Sequence, residues 1–169
     1  VPLSSKANQS VKVKGLLAIN QGSFFVNEWD LQASNLKGNV AFTENSVSSQ
    51  SLMGTMLGKP VEYSISSHEH GNEMEVKIQA KGTADAAEIT NWLKLAQHDR
   101  VSGNTDYQAE LSVYSDLNKH PLRLDIASSL TGLDIKLPAP LGKAPEVSRA
   151  STLSLDWVPD KFAQCNFRY

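Results

Sequence analysis

The sequence predicts a mainly β protein: an antiparallel curved sheet, taco- or sandwich-like, with one short α-helix at about residues 85–97. Two observations carry this. Apolar and polar residues alternate at period two through most of the 169 residues, and only one stretch recurs at helical spacing. Because the strands are half apolar and half polar, the sheet should be antiparallel, with one covered face and one wet face. Periodicity leaves two architectures open. Two sheets can stack as a closed sandwich, or one long sheet can curl so that its apolar face lines a groove.

Val11 and Val13 alternate with Lys12 and Lys14, and Leu16 to Ile19 follow Gly15, which marks a bend or bulge. Trp29, Leu31 and Ala33 lie at odd positions, whereas Leu36, Gly38, Val40 and Phe42 lie at even ones. That phase change predicts a β-bulge near Ser34 and Asn35, since a one-residue shift swaps the faces. "TENSVSSQS", residues 43–51, reads as a polar turn.

Val61, Tyr63 and Ile65, then Met74, Val76, Ile78 and Ala80, form two alternating runs around Gly71 and Asn72, the signature of a hairpin. In "GTADAAEITNWLKLAQHD", Ala86, Ile89, Leu93 and Ala96 share a helix face, with Trp92 and Leu95 beside them. Asp85 and Glu88 have the spacing of a capping box, with Thr83 as the alternative cap. A second hairpin follows: Val101, Gly103, Thr105, Tyr107, Ala109, Leu111 and Val113 alternate, and Leu122, Leu124 and Ile126 answer them after "SDLNKHP". Leu153, Leu155 and Trp157 make a last strand that ends at Pro159.

Between these runs lies "LTGLDIKLPAPLGKAPE", residues 130–146. Pro138 and Pro140 are spaced P-x-P, without the P-x-x-P pair of a polyproline ligand, and proline cannot donate to a ladder. The stretch reads as a crossover that leaves the sheet, packs its leucines over one end and re-enters near Leu153.

A chain of this length is most simply one β-rich domain, residues 1–169, large enough to hold a core without metal or disulfide. Sixteen basic against eighteen acidic residues, a net charge of −2, give no basic patch for nucleic acid. The single cysteine, Cys165, excludes an intrachain disulfide and reads as a packing residue. No apolar run reaches the ~20 residues that span a bilayer. The start at Val1, without a Met, reads as an internal cut, so any anchor would lie outside this sequence.

No catalytic constellation emerges, and no cofactor or metal is expected. His68 and His70 flank Glu69, with Glu73 nearby, but an H-x-H pair in a solvated turn has no third ligand placed by sequence. His98 and His120 fall at a helix end and a turn. The serines lack a G-x-S-x-G elbow, and the carboxylates Glu62, Asp106, Glu110 and Asp125 sit at polar strand positions that any β domain offers. Asn8-Gln9-Ser10 fits a glycosylation tripeptide that recurs by chance. Trp29, Trp92 and Trp157 read as core anchors.

One resemblance narrows the function. Ser128, Ser129, Leu130, Gly132 and Leu133, followed by "LPAPLGK" at residues 137–143, resemble a recurring segment of the AsmA-like proteins of Gram-negative bacteria, specifically the YhdP family with its DUF3971-type region. "KGTADAAEITNWL" followed by "VSGNTDYQAELSVY" is similar to that family's short helix and long strand, in the same order. Upstream, "LKGNVAF" and "LMGTMLGKPVEYSI" look like its earlier strands. The resemblance implies a long periplasmic protein, tethered to the inner membrane by a helix outside this sequence, with an apolar groove that carries phospholipid toward the outer membrane. Its partners would be phospholipid, adjoining segments of the same long chain and the inner membrane.

The expected function is thus a segment of a lipid conduit, with Val76, Ile78, Tyr107, Leu111, Val113, Leu122, Leu124 and Ile126 as candidate lipid contacts. For each of them, ordinary core is the rival role. The alternative for the whole chain is a structural or protein-interaction module sealed as a sandwich, and a third reading is a carbohydrate-binding or hydrolytic domain.

Overall fold

The computed structural model describes residues 12–70, 73–96, 98–159, 161 and 163–169. Val11, the Asn8-Gln9-Ser10 tripeptide and the Gly71–Asn72 turn lie outside these. Ten strands are described: β1 (Lys14–Val26), β2 (Leu31–Thr43), β3 (Val47–Met56), β4 (Lys59–His70), β5 (Glu73–Asp85), β6 (Val101–Tyr114), β7 (Leu122–Ser128), β8 (Leu133–Ile135), β9 (Ser151–Trp157) and β10 (Gln164–Arg168). One α-helix, α1 (Ala86–Trp92), follows β5 directly.

The strands form a single antiparallel sheet in the order β1-β2-β3-β4-β5-β6-β7-β9-β10, with β8 attached to the start of β6. Of the two expected architectures, the single curled sheet is therefore the one adopted. Both hairpins are present, β4–β5 and β6–β7, with Ile65 opposite Ile78 and Leu111 opposite Leu124. The predicted phase change also holds: register shifts between Ser34 and Lys37, and Asn35 has φ of +53°.

Several expectations are corrected. Gly15 is not a bulge, since pairing runs unbroken from Lys14 to Ile19; the Phe42 ring instead occupies the space a side chain would fill. The polar "TENSVSSQS" is largely strand β3 rather than a turn. Its serines satisfy strand neighbours, as where Ser49 Oγ donates to the Asn39 carbonyl at 2.7 Å. The helix has seven residues, because Lys94 enters the left-handed region at φ +54° and ends it. Neither proposed cap engages it: the Asp85 carboxylate lies 3.0 Å from Lys59 Nζ, and Thr83 Oγ1 donates to Asp106 at 2.7 Å. Leu93, Leu95 and Ala96 are exposed, so only the start of the expected apolar helix face is covered. Cys165 is exposed rather than packed, because β10 is an edge strand whose five residues are all exposed.

The proline-rich crossover re-enters as β9, as expected, but does not wholly leave the sheet. Leu133 is buried where β8 pairs with Val101–Gly103, whereas Leu141 is exposed. Gly103 and Gly132 make the approach possible. Both have φ of +95°, and a Cβ on Gly103 would fall 2.1 Å from the Gly132 oxygen. Lys143, only 7% exposed, holds the loop: its Nζ donates to the carbonyls of Leu133 at 2.6 Å, Leu130 at 2.8 Å and Ala144 at 3.0 Å. Arg149 donates to the Pro140 carbonyl at 2.8 Å and stacks over Tyr169, whose hydroxyl donates to the Leu141 carbonyl.

Candidate functional site

Pairing registers convert the sequence alternation into two chemically distinct faces. On one face Ile65, Ile78, Leu111, Leu124 and Leu155 lie in a row across five strands. The next row is Leu52, Tyr63, Ala80, Ala109, Ile126, Leu153 and Phe167. On the other face the corresponding row is Ser64, Gln79, Glu110, Asp125, Ser154 and Asn166. A period-two side-chain alternation in register from strand to strand requires this separation.

The sheet curls about its apolar face. Phe24 of β1 and Phe167 of β10, from strands at opposite edges, line the same cavity of about 160 Å³. Helix α1 stands over it, contributing Ile89 and Trp92, with Leu93 just past its end. Trp92 Nε1 donates to the Trp29 carbonyl at 2.7 Å, which fastens the helix to the turn between β1 and β2. Among the described residues no charged side chain borders this cavity.

All eight sequence-predicted contact residues lie on this face. Ile78, Tyr107, Leu111, Leu124 and Ile126 border the cavity, while Val76, Val113 and Leu122 lie further along the same strands. Tyr107, Leu111, Leu122 and Leu124 are buried, and the other four are half-buried. The sequence reading missed Phe24, Met56 and Phe167 as lining residues. Phe167 sits in a strand too short and polar to stand out, and Phe24 follows a register shift between Gly22 and Phe24. Trp29 and Trp92, read as core anchors, pack against the core and also face the cavity.

Polar groups on the wall fall into two sets. Thr105 and Ser128 hydroxyls lie 3.1 Å apart, and Ser151 Oγ donates to the Ser128 carbonyl at 3.3 Å. By contrast, Trp29 Nε1 and the Tyr107 hydroxyl, like that of Tyr63 behind the wall, are buried with no hydrogen-bond partner among the described residues. Burial pushes the Tyr107 hydroxyl up to about 12, and burial, then the neighbouring Tyr107, raises Tyr63 above the ordinary phenol range.

The outer face is a charge network. Glu110 accepts from Lys77 and from Gln79, each at 3.0 Å, and is held below the ordinary carboxylate range by the Gln79 and Lys77 hydrogen bonds. Arg123 Nε donates to Asp125 at 2.7 Å and lowers its pKa, helped by Ser154. His120 stacks on Tyr114 and lies 2.8 Å from Glu73, away from the cavity. Among the described residues no group of three or more His, Cys, Asp or Glu side chains gathers to hold a metal. No described helix is long and apolar enough to cross a membrane.

The site is therefore an apolar cavity, bordered among the described residues by no charged side chain, on a single open antiparallel sheet. The family model described as YhdP protein matches residues 1–165, and the chain belongs to that family. It is 23% identical over 159 residues to the intermembrane phospholipid transporter YhdP of Escherichia coli (strain K12). That match covers 92% of this chain but only 12% of the relative's length. No solved structure matches the chain.

Proposed function

We propose that this chain is one stretch of a phospholipid conduit in the periplasm of a Gram-negative envelope. In this reading it belongs to a longer protein anchored in the inner membrane outside this sequence, and moves lipid between inner and outer membranes. The observation that carries the reading is the apolar face, which runs in register from β4 to β10 around a cavity bordered, among the described residues, by no charge. The relative's role in phospholipid transport supports it.

The mechanism is passive and needs no catalytic residue. Acyl chains lie against Ile78, Leu111, Leu124 and Ile126, while the charged headgroup stays in water beyond the open side. Each sheltered methylene contributes about 0.8 kcal/mol, so a few hold a lipid without polar contacts and still let it slide. A cavity of about 160 Å³ is smaller than the roughly 300–1,000 Å³ of ordinary ligand pockets. This chain therefore shelters part of one lipid, and adjoining segments of the same long chain shelter the rest.

A photoreactive residue placed at Leu111 or Leu124 in the full chain tests this. Phospholipid crosslinked at 111 and 124, but not at the outward-facing positions 110 and 125, is the expected result. Lipid-free probes shielded from solvent would assign the face to closed core. They would favour the structural-module alternative, which the four buried candidate residues support.

A further inference from the structure

Helix α1 lies over the same apolar face that the conduit reading gives to acyl chains. Ile89 and Trp92 border the cavity together with Leu111, Leu124 and Ile126, so an acyl chain laid on that wall meets both of them. The free space of about 160 Å³ is below that of an ordinary ligand pocket, and helix and lipid therefore compete for the wall. The helix is attached unequally at its two ends. Its start continues β5 without a linker, where Asp85 pairs with Asn104 and lies 3.0 Å from Lys59 Nζ. Its far end is held by one side-chain hydrogen bond, from Trp92 Nε1 to the Trp29 carbonyl at 2.7 Å. The Thr90 hydroxyl turns back on the carbonyls of Ala86 and Ala87, at 2.9 and 3.0 Å, rather than reaching the sheet. Leu93 to Ala96 are exposed, so their movement uncovers little. Seven residues are too few for a helix to persist without such contacts.

A short element fixed at one end and latched at the other belongs to the part of a fold that opens at least cost. Here opening has a ready substitute, because an acyl chain can cover the wall that Ile89 and Trp92 leave. The apolar surface stays out of water in both states. We infer that α1 is a lid, hinged at Asp85 and latched by Trp92 to Trp29, which lies in the lipid path and lifts when an acyl chain takes its place. The inference rests on the lipid-conduit reading and deepens it: an empty stretch is closed by its own helix, and lipid opens it by competition. Apparent affinity is then set in part by the fraction of molecules whose lid is already lifted. Weakening the helix should therefore tighten lipid binding, the reverse of what loss of a wall would do.

The test uses variants of the full chain at exposed helix positions that do not border the cavity: Ala87, Glu88 and Asn91. Ala87→Gly combined with Glu88→Gly weakens the helix, whereas Asn91→Ala strengthens it without risk to folding. Each protein is mixed with dioctanoyl phosphatidylcholine, and loading is followed by stopped-flow tryptophan emission, since Trp29 and Trp92 both border the cavity. The glycine pair should load about five- to tenfold faster and bind more tightly by a similar factor, with an unchanged release rate. Asn91→Ala should load about two- to threefold more slowly and bind more weakly to match. Weaker binding by the glycine pair would make α1 a fixed part of the wall and overturn the lid, leaving the conduit standing. Asn91→Ala indistinguishable from wild type in both rate and affinity would overturn the lid in the same way, even if the glycine pair fails to fold. Lipid bound by none of the proteins would overturn this inference and the conduit together.

Discussion

The indole N–H of Trp92 donates to the main-chain carbonyl of Trp29 at 2.7 Å, joining two residues 63 positions apart that both border the apolar cavity. The helix that carries Trp92 is only seven residues long, too short to be stable alone. Its position therefore depends on tertiary anchors, of which this bond and the burial of Ala86 and Thr90 are the clearest. Trp92→Phe keeps most of the ring and loses the donor. The expected cost is about 1 kcal/mol, a fall of roughly 2–4 °C in the melting midpoint, with faster amide exchange in α1 than in β5 or β6. A midpoint and exchange pattern unchanged from wild type would show that apolar packing alone holds the helix.

Lys143 is the fastening of the crossover. A buried ammonium is costly unless its protons are matched, and here three carbonyls of the loop match them. Lys143→Met keeps the length of the side chain but strands those carbonyls, and should destabilise by about 2–4 kcal/mol. Lys136, on the same crossover but exposed and only loosely paired with Asp134 at 3.9 Å, is the control. Its replacement by Met should stay within about 0.5 kcal/mol. Urea denaturation of both variants decides the matter, and equal small effects would deny Lys143 this role.

Both lysines were equally visible in the sequence, and their difference was not. What the alternation could tell was which residues share a face, and it did so well in β4 to β7, where regular pairing preserves the period. It failed where pairing carries no apolar signal. β3 has serines at three of its first five positions, with Leu52 as its one buried large side chain, and β10 is wholly exposed, so neither looks like a strand by composition. The choice between sandwich and curled sheet depends on whether β1 and β10 flank one cavity, a relation between residues such as Phe24 and Phe167 that no local pattern encodes. The unpartnered donors of Trp29 and Tyr107 were hidden for the same reason, since a missing partner is a property of the folded neighbourhood.

Tyr63 and Tyr107 predict how the protein responds to alkali. Their folded values are raised by burial, so the native state keeps both phenols protonated after the unfolded chain, at about 10, has begun to lose its protons. The unfolded state then binds fewer protons than the native one, and stability falls as pH rises from about 10 toward 12. Absorbance at 295 nm should therefore show these two tyrosines titrating together with loss of the sheet's circular dichroism. Tyr107→Phe should make the alkaline decline shallower. If all four tyrosines titrate while the sheet persists, the two hydroxyls are open to water.

The outer face predicts the opposite limb. Glu110 and Asp125 are cross-strand partners held ionised by Gln79 and Lys77 on one side and by Arg123 and Ser154 on the other. Because both carboxyls are depressed in the folded state, the stability they contribute is complete above the ordinary carboxylate range. It is lost as pH falls through about 4 toward their folded values. Both groups are substantially exposed, so the effect of either alone is modest and shrinks with salt. Glu110→Gln keeps the shape and an acceptor oxygen while removing the charge. The variant should therefore show a shallower loss of urea midpoint between about pH 5 and 3 than wild type, with little change at neutral pH in high salt. Parallel pH curves for the two proteins would mean that Lys77 and Gln79 do not hold Glu110 in solution, and that the outer face is only a solvated surface.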